Sequence, residues 1–311
     1  MKVLVSGANG FIGRALCPYL SSLGHAVVPA VRRPCDMAGA HVVGDEASWK
    51  DALEGCDSVV HLAGRAHVMR DQAVDPLQAF RAANVDATLA LAYLAAKAGV
   101  RRFVFMSTIK VNGEHTAPGT SFGPADAPAP EDPYGRSKWE AEEGLLEIAR
   151  ASELEVVIVR PPMVYGPGAK GNFATLVKCV RKGLPLPLGA VHNRRSLVAL
   201  DNLLSLTALC ADRTASPAAA NQIFLVSDGR DVSTTELLRA IAGAYGRSLR
   251  LIPVPVGLIC LGARLLGKTA TTDRLLGSLA VDDSKTRDLL GWRPQVSMGE
   301  QLRKMANAAT D

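Results

Sequence analysis

The chain has 311 residues, 48% hydrophobic and 21% charged, with 35 Lys/Arg against 30 Asp/Glu and a formal net charge of +5. That balance excludes the disordered, collagen-like and disulfide-scaffold classes, and the interspersed charges lack the long basic run of a nucleic-acid-binding segment. The length suits one large domain or two interleaved ones, and the basic excess suits a small anionic ligand.

In chain order, short β-branched runs predict strands at Lys2–Val5, Ala26–Val31, Ser58–Leu62, Phe103–Met106 and Val156–Val159. Helical patterns fall between them near Ile12–Leu23, Ala47–Leu53, Pro76–Ala98 and Tyr134–Ala149. Strands that are apolar on both faces and separated by helices imply a parallel sheet covered on both sides, a doubly wound α/β fold. After Gly166 proline and glycine become frequent, and isolated strands such as Gln222–Val226 alternate with helices. Ser233-x-x-Glu236 and Ser297-x-x-Glu300 are capping-box signatures. The expected division is therefore 1–165 for the sheet and 166–311 for a smaller α+β lobe, with elements partly interleaved. The longest expected loop is Thr116–Pro133, rich in Pro, Ala and Gly.

The apolar start is too short for a signal-peptide core, and Val254–Leu266, which includes Arg264, is too short to span a bilayer. A cytoplasmic protein with no membrane partner is expected. Cys17, Cys35, Cys56, Cys179, Cys210 and Cys260 lie far apart without metal-ligand spacing, so they read as free thiols and no metal site is expected. His61, ending a strand, and His67 read as core and loop histidines.

Chemistry enters at Gly7-Ala8-Asn9-Gly10-Phe11-Ile12-Gly13, between the first strand and a helix. The glycines permit a tight turn, a close approach of main chain to a pyrophosphate, and helix–sheet packing. The helix N-terminus offers free N–H groups to phosphate. This is a dinucleotide site of Rossmann type. The second strand ends at Arg32-Arg33, where an NAD-preferring fold carries an acidic residue. Arginine can instead pair with a 2′-phosphate, which favours NADP(H) while leaving NAD(H) possible.

Tyr134 and Lys138 are four residues apart at a helix start and project from one face. A neighbouring ammonium lowers a phenol pKa, which would make Tyr134 a general acid/base. Ser107-Thr108 leaves the preceding strand at the carboxyl edge of the sheet, where open α/β folds bind ligands. With Asp45, His61-Leu-Ala-Gly64, Asn84-Val-Asp-Ala-Thr88, Arg160-Pro-Pro and Arg195-Ser-Leu-Val-Ala-Leu-Asp201, these residues resemble the extended short-chain dehydrogenase/reductase family, in its nucleotide-sugar epimerase, dehydratase and ketoreductase branch.

The resemblance implies that Phe11 and Ile12 lie under the pyrophosphate, Asp45 and Glu46 near adenine, and Leu62, Ala63 and Gly64 along the cofactor. Asn84 and Pro161 would border it, and Lys138 would also bind the nicotinamide ribose. Thr108 would hold the sugar hydroxyl, Tyr134 would move its proton, and Asn172, Phe173 and Arg195 would contact the substrate diphosphate. It also implies a homodimer built from the helices near Pro76–Ala98 and Tyr134–Ala149. Two departures bear on the reaction. Arg160-Pro161-Pro162-Met163 lacks the Asn that galactose-type epimerases place there, and Thr108 is followed by Ile109-Lys110 in place of the acidic pair of a dehydratase. The first removes the analogy for substrate placement and the second disfavours dehydration, while Arg32-Arg33 in place of the acidic residue favours an NADPH-dependent 4-keto-sugar reductase acting on a UDP- or dTDP-hexose. The alternatives are a UDP-glucose or UDP-N-acetylglucosamine 4-epimerase with captive NAD and, more remotely, a non-catalytic dinucleotide sensor.

Overall fold

Alternation along each strand sends successive side chains to opposite faces, and both faces here are apolar. Val3 and Val5 of β1 (Lys2–Ser6) join one core with Val60, Val104, Val157 and Val159, while Leu4 joins the other with Val59, Phe103, Phe105 and Ile158. The computed structural model describes residues 1–66, 75–265, 272 and 275–308. Its main sheet is entirely parallel in the order β3-β2-β1-β4-β5-β6-β9. The other strands are β2 (Ala26–Val31), β3 (His41–Val42), β4 (Ser58–His61), β5 (Arg102–Met106), β6 (Glu155–Arg160) and β9 (Gln222–Leu225). Helices α1 (Gly13–Ser22) and α7 (Leu200–Ala211) supply residues to the first core, and α2 (Glu46–Leu53), α4 (Ala87–Lys97) and α5 (Pro133–Ala151) to the second. The doubly wound expectation describes this sheet.

Two elements differ from the sequence reading. Gln222–Leu225 is not isolated but pairs with β6 as the seventh strand. The helix expected over Pro76–Ala98 is three pieces: α3 (Pro76–Arg81), a π-turn over Ala82–Asp86, and α4. Such widened turns are frequent at functional sites, and this one carries the fully buried Asn84.

A second, two-stranded parallel sheet pairs β7 (Met163–Tyr165) with β8 (Leu197–Ala199). With α6 (Gly171–Arg181), α8 (Thr234–Ala244) and the C-terminal helix Met298–Asn307 it forms a separate apolar cluster around Tyr165, Phe173, Leu238 and Leu302. Both expected capping boxes form, Ser233 with Glu236 and Ser297 with Glu300. The long loop is pinned across the chain: Thr116 N–H donates to Ser278 and Phe122 N–H to Ala280. All six cysteines are free, and burial pushes the Cys17 thiol up to about 11 and Cys210 up to about 12. His67 and Leu266 lie outside the described residues.

Candidate active site

The carboxyl ends of β1, β4 and β5 open onto one edge of the sheet. There Gly7 adopts φ +70°, and a Cβ on it would stand 2.7 Å from Ala63 N, so the Leu62-Ala63 strand end can approach only a glycine. A Cβ on Gly13 would stand 2.4 Å from Gly7 O, which fixes the close seat of α1 on the turn. Gly10 N–H donates to Gly7 O at 2.9 Å, and no side chain caps the N-terminus of α1. By contrast α2, α3, α5, α8 and the C-terminal helix are all capped by Asp or Ser. A glycine-lined cradle facing an uncapped ten-residue helix fits a dinucleotide pyrophosphate. Phe11 and Ile12 sit half-buried at that turn, and Phe11 lies beside Gly168 of the second half.

Arg32 and Arg33 follow β2 fully exposed, and among the described residues neither enters an ion pair. Asp45 and Glu46 follow β3, where the Asp45 carboxylate caps α2. It accepts from Ser48 N–H at 2.9 Å and from its hydroxyl at 2.6 Å, which holds its pKa below the usual range. Glu46 pairs with Lys50 at 2.8 Å.

Asn84 closes the next side. Its amide donates to Ser137 Oγ at 2.9 Å and Arg65 O at 3.1 Å, while its Oδ1 accepts from Arg65 N–H at 2.7 Å and crowds Gly64. One buried side chain thereby joins the segment after β4 to the start of α5. Pro161, buried after β6, accepts from Ile109 N–H at 3.0 Å.

The reactive groups stand between these supports. Thr108 lies two residues beyond β5, caps the short 3-10 turn Ile109–Val111, and acts on the phenol of Tyr134 to lower its pKa. Phe80 packs against the Tyr134 ring at 6.1 Å. Asp132 caps α5 through Gly135 N–H at 2.6 Å and receives the Lys110 ammonium at 2.6 Å. Burial would raise the Asp132 carboxyl, but Lys110 and the Gly135 N–H outweigh it and keep it ionised to lower pH. Lys110 also pairs with Glu114. The cation that replaces a dehydratase's acidic pair is therefore bound to two carboxylates beside the site.

The expected acidification of Tyr134 by Lys138 is not what this protein alone displays. Burial pushes the phenol up to about 12, helped by the Asp132 charge, while the Thr108 hydrogen bond lowers it. Burial also drives Lys138 down to about 7 against the pull of Glu142. Desolvation outweighs the pairwise attraction at this site, where Lys138 is buried and Tyr134 half-buried. The Lys138 ammonium rests 3.8 Å from the centre of the Phe105 ring.

Behind Lys138 lies a polar cluster that the sequence reading passed over. Glu142, one turn further on α5, accepts from the Ser107 hydroxyl and from Arg160 Nε at 3.0 and 3.2 Å, and Arg160 Nη1 donates to Asn112 Oδ1 at 3.0 Å. The signal was available as Tyr134-x-x-x-Lys138-x-x-x-Glu142, which puts all three on one helical face.

In the second half, Asn172 is exposed in the first turn of α6, whose N-terminus has no side-chain cap. The Phe173 side chain is 1% exposed and stacks on Tyr165 at 5.4 Å, so only its backbone can face a ligand. Arg195 is half-buried and donates from Nη1 to Gly277 O at 2.9 Å, and desolvation lowers its pKa.

The family model for the NAD dependent epimerase/dehydratase family matches residues 3–224. A UDP-glucose 4-epimerase of Vibrio cholerae is 44% identical over 314 residues, covering 99% of this chain and 95% of that protein. Among solved structures, MoeE5 in complex with UDP-glucuronic acid and NAD is 26% identical with a TM-score of 0.76, covering 100% of this chain and 99% of the other. The UDP-glucose 4-epimerase of Thermotoga maritima with UDP-glucose superposes at a TM-score of 0.77, with 24% identity and the same coverage. The glycine cradle, the Thr108–Tyr134–Lys138 edge and these matches over the sheet have one reading: the chain belongs to the NAD dependent epimerase/dehydratase family.

Proposed function

We propose that this enzyme is a UDP-hexose 4-epimerase that keeps its dinucleotide bound through the catalytic cycle. The observation that carries the reading is Tyr134 with Lys138 one turn further along α5 and Thr108 acting on its phenol, in a chain 44% identical to a UDP-glucose 4-epimerase. That identity outweighs the arginine pair, which on sequence favoured a 4-keto-sugar reductase.

The Gly7–Gly13 turn and the N-terminus of α1 would hold the dinucleotide pyrophosphate, with Leu62, Ala63, Gly64, Asn84 and Pro161 along its nicotinamide half and Lys138 on the ribose. A bound nicotinamide would supply reversible hydride transfer at C4 of the sugar. Thr108 holds the C4 oxygen and Tyr134 takes its proton as the carbinol becomes a ketone, then gives it back on reduction. Once a negative phenolate forms, a protonated Lys138 is favoured beside it. Asn172, the backbone at Phe173 and Arg195 would bind the diphosphate. Residues 1–165 read as the dinucleotide-binding part and 166–311 as the substrate lobe, with β9 and α7 shared.

The 4-keto-sugar reductase remains as a second reading because Arg32 and Arg33 are exposed and, among the described residues, enter no ion pair, which suits them to a 2′-phosphate. The deciding experiment denatures the purified protein, identifies the dinucleotide released, and assays UDP-glucose and UDP-galactose interconversion without added cofactor. Stoichiometric NAD with interconversion supports the epimerase. An empty site, with NADPH-dependent reduction of a 4-keto sugar, overturns it. A homodimer through α4 and α5 accompanies this reading, with exposed Tyr93 on α4 in the contact.

A further inference from the structure

Helix α9 (Val256–Leu265) carries a single charged residue, Arg264, and is otherwise apolar. Leu258, Leu261 and Leu265 are spaced to share one side of the helix, and they are 59%, 55% and 81% exposed. Ile259, around the helix from them, packs into the core of the second half. A surface helix ordinarily turns charged or polar residues outward; here the outward stripe is leucine. Ile252 and Val256, before and at the start of the helix, are exposed as well. Leu184 is exposed on the neighbouring segment, where Leu186 N–H donates to Arg250 O.

The described stretch that leads into this helix and the stretch that packs beside it carry charge of one sign. Residues 237–265 contain Arg239, Arg247, Arg250 and Arg264 and no Asp or Glu, and residues 156–200, which supply Lys178, Arg181 and Lys182, contain none either. The two stretches are adjacent: the Arg181 guanidinium lies 5.9 Å from the Tyr245 ring centre, and Leu186 bridges Leu251.

We propose that α9 and its basic surround form a membrane-contact surface that seats on an anionic lipid bilayer. An apolar ridge flanked by Lys and Arg is what an interfacial helix presents to acyl chains and acidic headgroups. A second copy of the chain is a poorer occupant, since it would bring two cationic rims together around the same ridge. The run is too short to cross a bilayer but not too short to lie on one, so the sequence-based expectation of no membrane partner applies to spanning alone.

The test is co-sedimentation of the full chain with unilamellar vesicles of equal phosphatidylglycerol and phosphatidylcholine, against vesicles of phosphatidylcholine alone. Wild type should pellet with the anionic vesicles and stay in solution with the neutral ones. Leu258→Ser/Leu261→Ser/Leu265→Ser should bind at least tenfold more weakly. Arg247→Gln/Arg250→Gln should bind more weakly too, and 1 M NaCl should weaken wild type in the same direction. Both variants change exposed residues and should keep the wild-type melting temperature. Wild type left in the supernatant with anionic vesicles overturns the proposal, as does a triple variant that binds like wild type. A triple variant whose only change is a lower solution mass by light scattering also overturns it and assigns the ridge to self-association.

Discussion

Arg160 and Glu142 form an ion pair in which both residues are 2% exposed, with the guanidinium Nε 3.0 and 3.2 Å from the two carboxylate oxygens. It joins the end of β6 to the face of α5 that carries Lys138. Removing one partner leaves the other charge buried and uncompensated, which typically costs about 3–5 kcal/mol. Glu142→Leu should therefore lower stability by an amount in that range, and the double change Glu142→Leu/Arg160→Met should recover much of it. Denaturant melts of the two single variants and the double give the coupling directly. Additive losses would mean that the two charges act independently.

Tyr134→Phe removes the ionisable oxygen and leaves the ring against Phe80. Turnover should fall by about 10²- to 10⁴-fold, the usual contribution of a positioned acid/base, while dinucleotide affinity stays within about twofold. Single-turnover kinetics and dinucleotide titration separate the two. A variant with more than about a third of wild-type turnover would remove Tyr134 from the chemistry.

Gly13→Ala places a methyl against Gly7 O and Ala8 Cα, which are backbone atoms that cannot swing aside. Overpacking of this kind costs about 1–3 kcal/mol. Because the relief available is to lift α1 off the turn, dinucleotide affinity should drop by roughly tenfold or more. Titration of the variant by protein fluorescence checks this, and unchanged affinity would mean that the turn does not contact the pyrophosphate.

His61 carries a pH dependence whose sign is fixed by its partners. The Thr88 hydroxyl donates to Asn84 O at 2.7 Å, so it accepts from Nε2–H of His61 at 2.9 Å, and Nδ1 is left to accept from the Ser6 hydroxyl at 2.6 Å. The ring is thereby held neutral as one tautomer. Burial, with Lys138 nearby, pushes its pKa down to about 3. The unfolded chain binds a proton near 6.5 that the folded one refuses, so this contribution is complete above about 6.5 and is lost as pH falls toward 3. Urea midpoints measured from pH 7 to pH 4 should decline less steeply for His61→Gln than for wild type. Parallel declines would assign the acid sensitivity to the carboxylates.

Much of the sheet was legible because parallel strands buried on both faces write themselves as uninterrupted β-branched runs, and the glycine turn and Tyr134/Lys138 pair have local spacing. What escaped depends on partners distant in sequence. The π-turn exists to bury Asn84 against Ser137 and the Arg65 backbone, neither of which a helical period can announce. Glu142 reads as an ordinary exposed helix position until Arg160 arrives from β6. Asp45 drew attention as an adenine contact, although Asp45-x-x-Ser48 was also a cap signal. The acidity of Tyr134 was misjudged because spacing conveys the neighbouring charge but not the depth of burial.

The place of β9 in the sheet has a consequence for synthesis. As the chain emerges from the ribosome, β1 to β6 are complete by Arg160, yet the free edge of β6 stays unpaired until Gln222–Leu225 follows about sixty residues later. Helix α7, whose leucines cover Val3, Val5 and Val104, emerges within that same interval. A nascent chain of about 165 residues would thus display an open strand edge and a bare apolar sheet face, both of which invite misassociation. The first half of the fold is therefore exposed to misassociation until the second half has threaded back to close it.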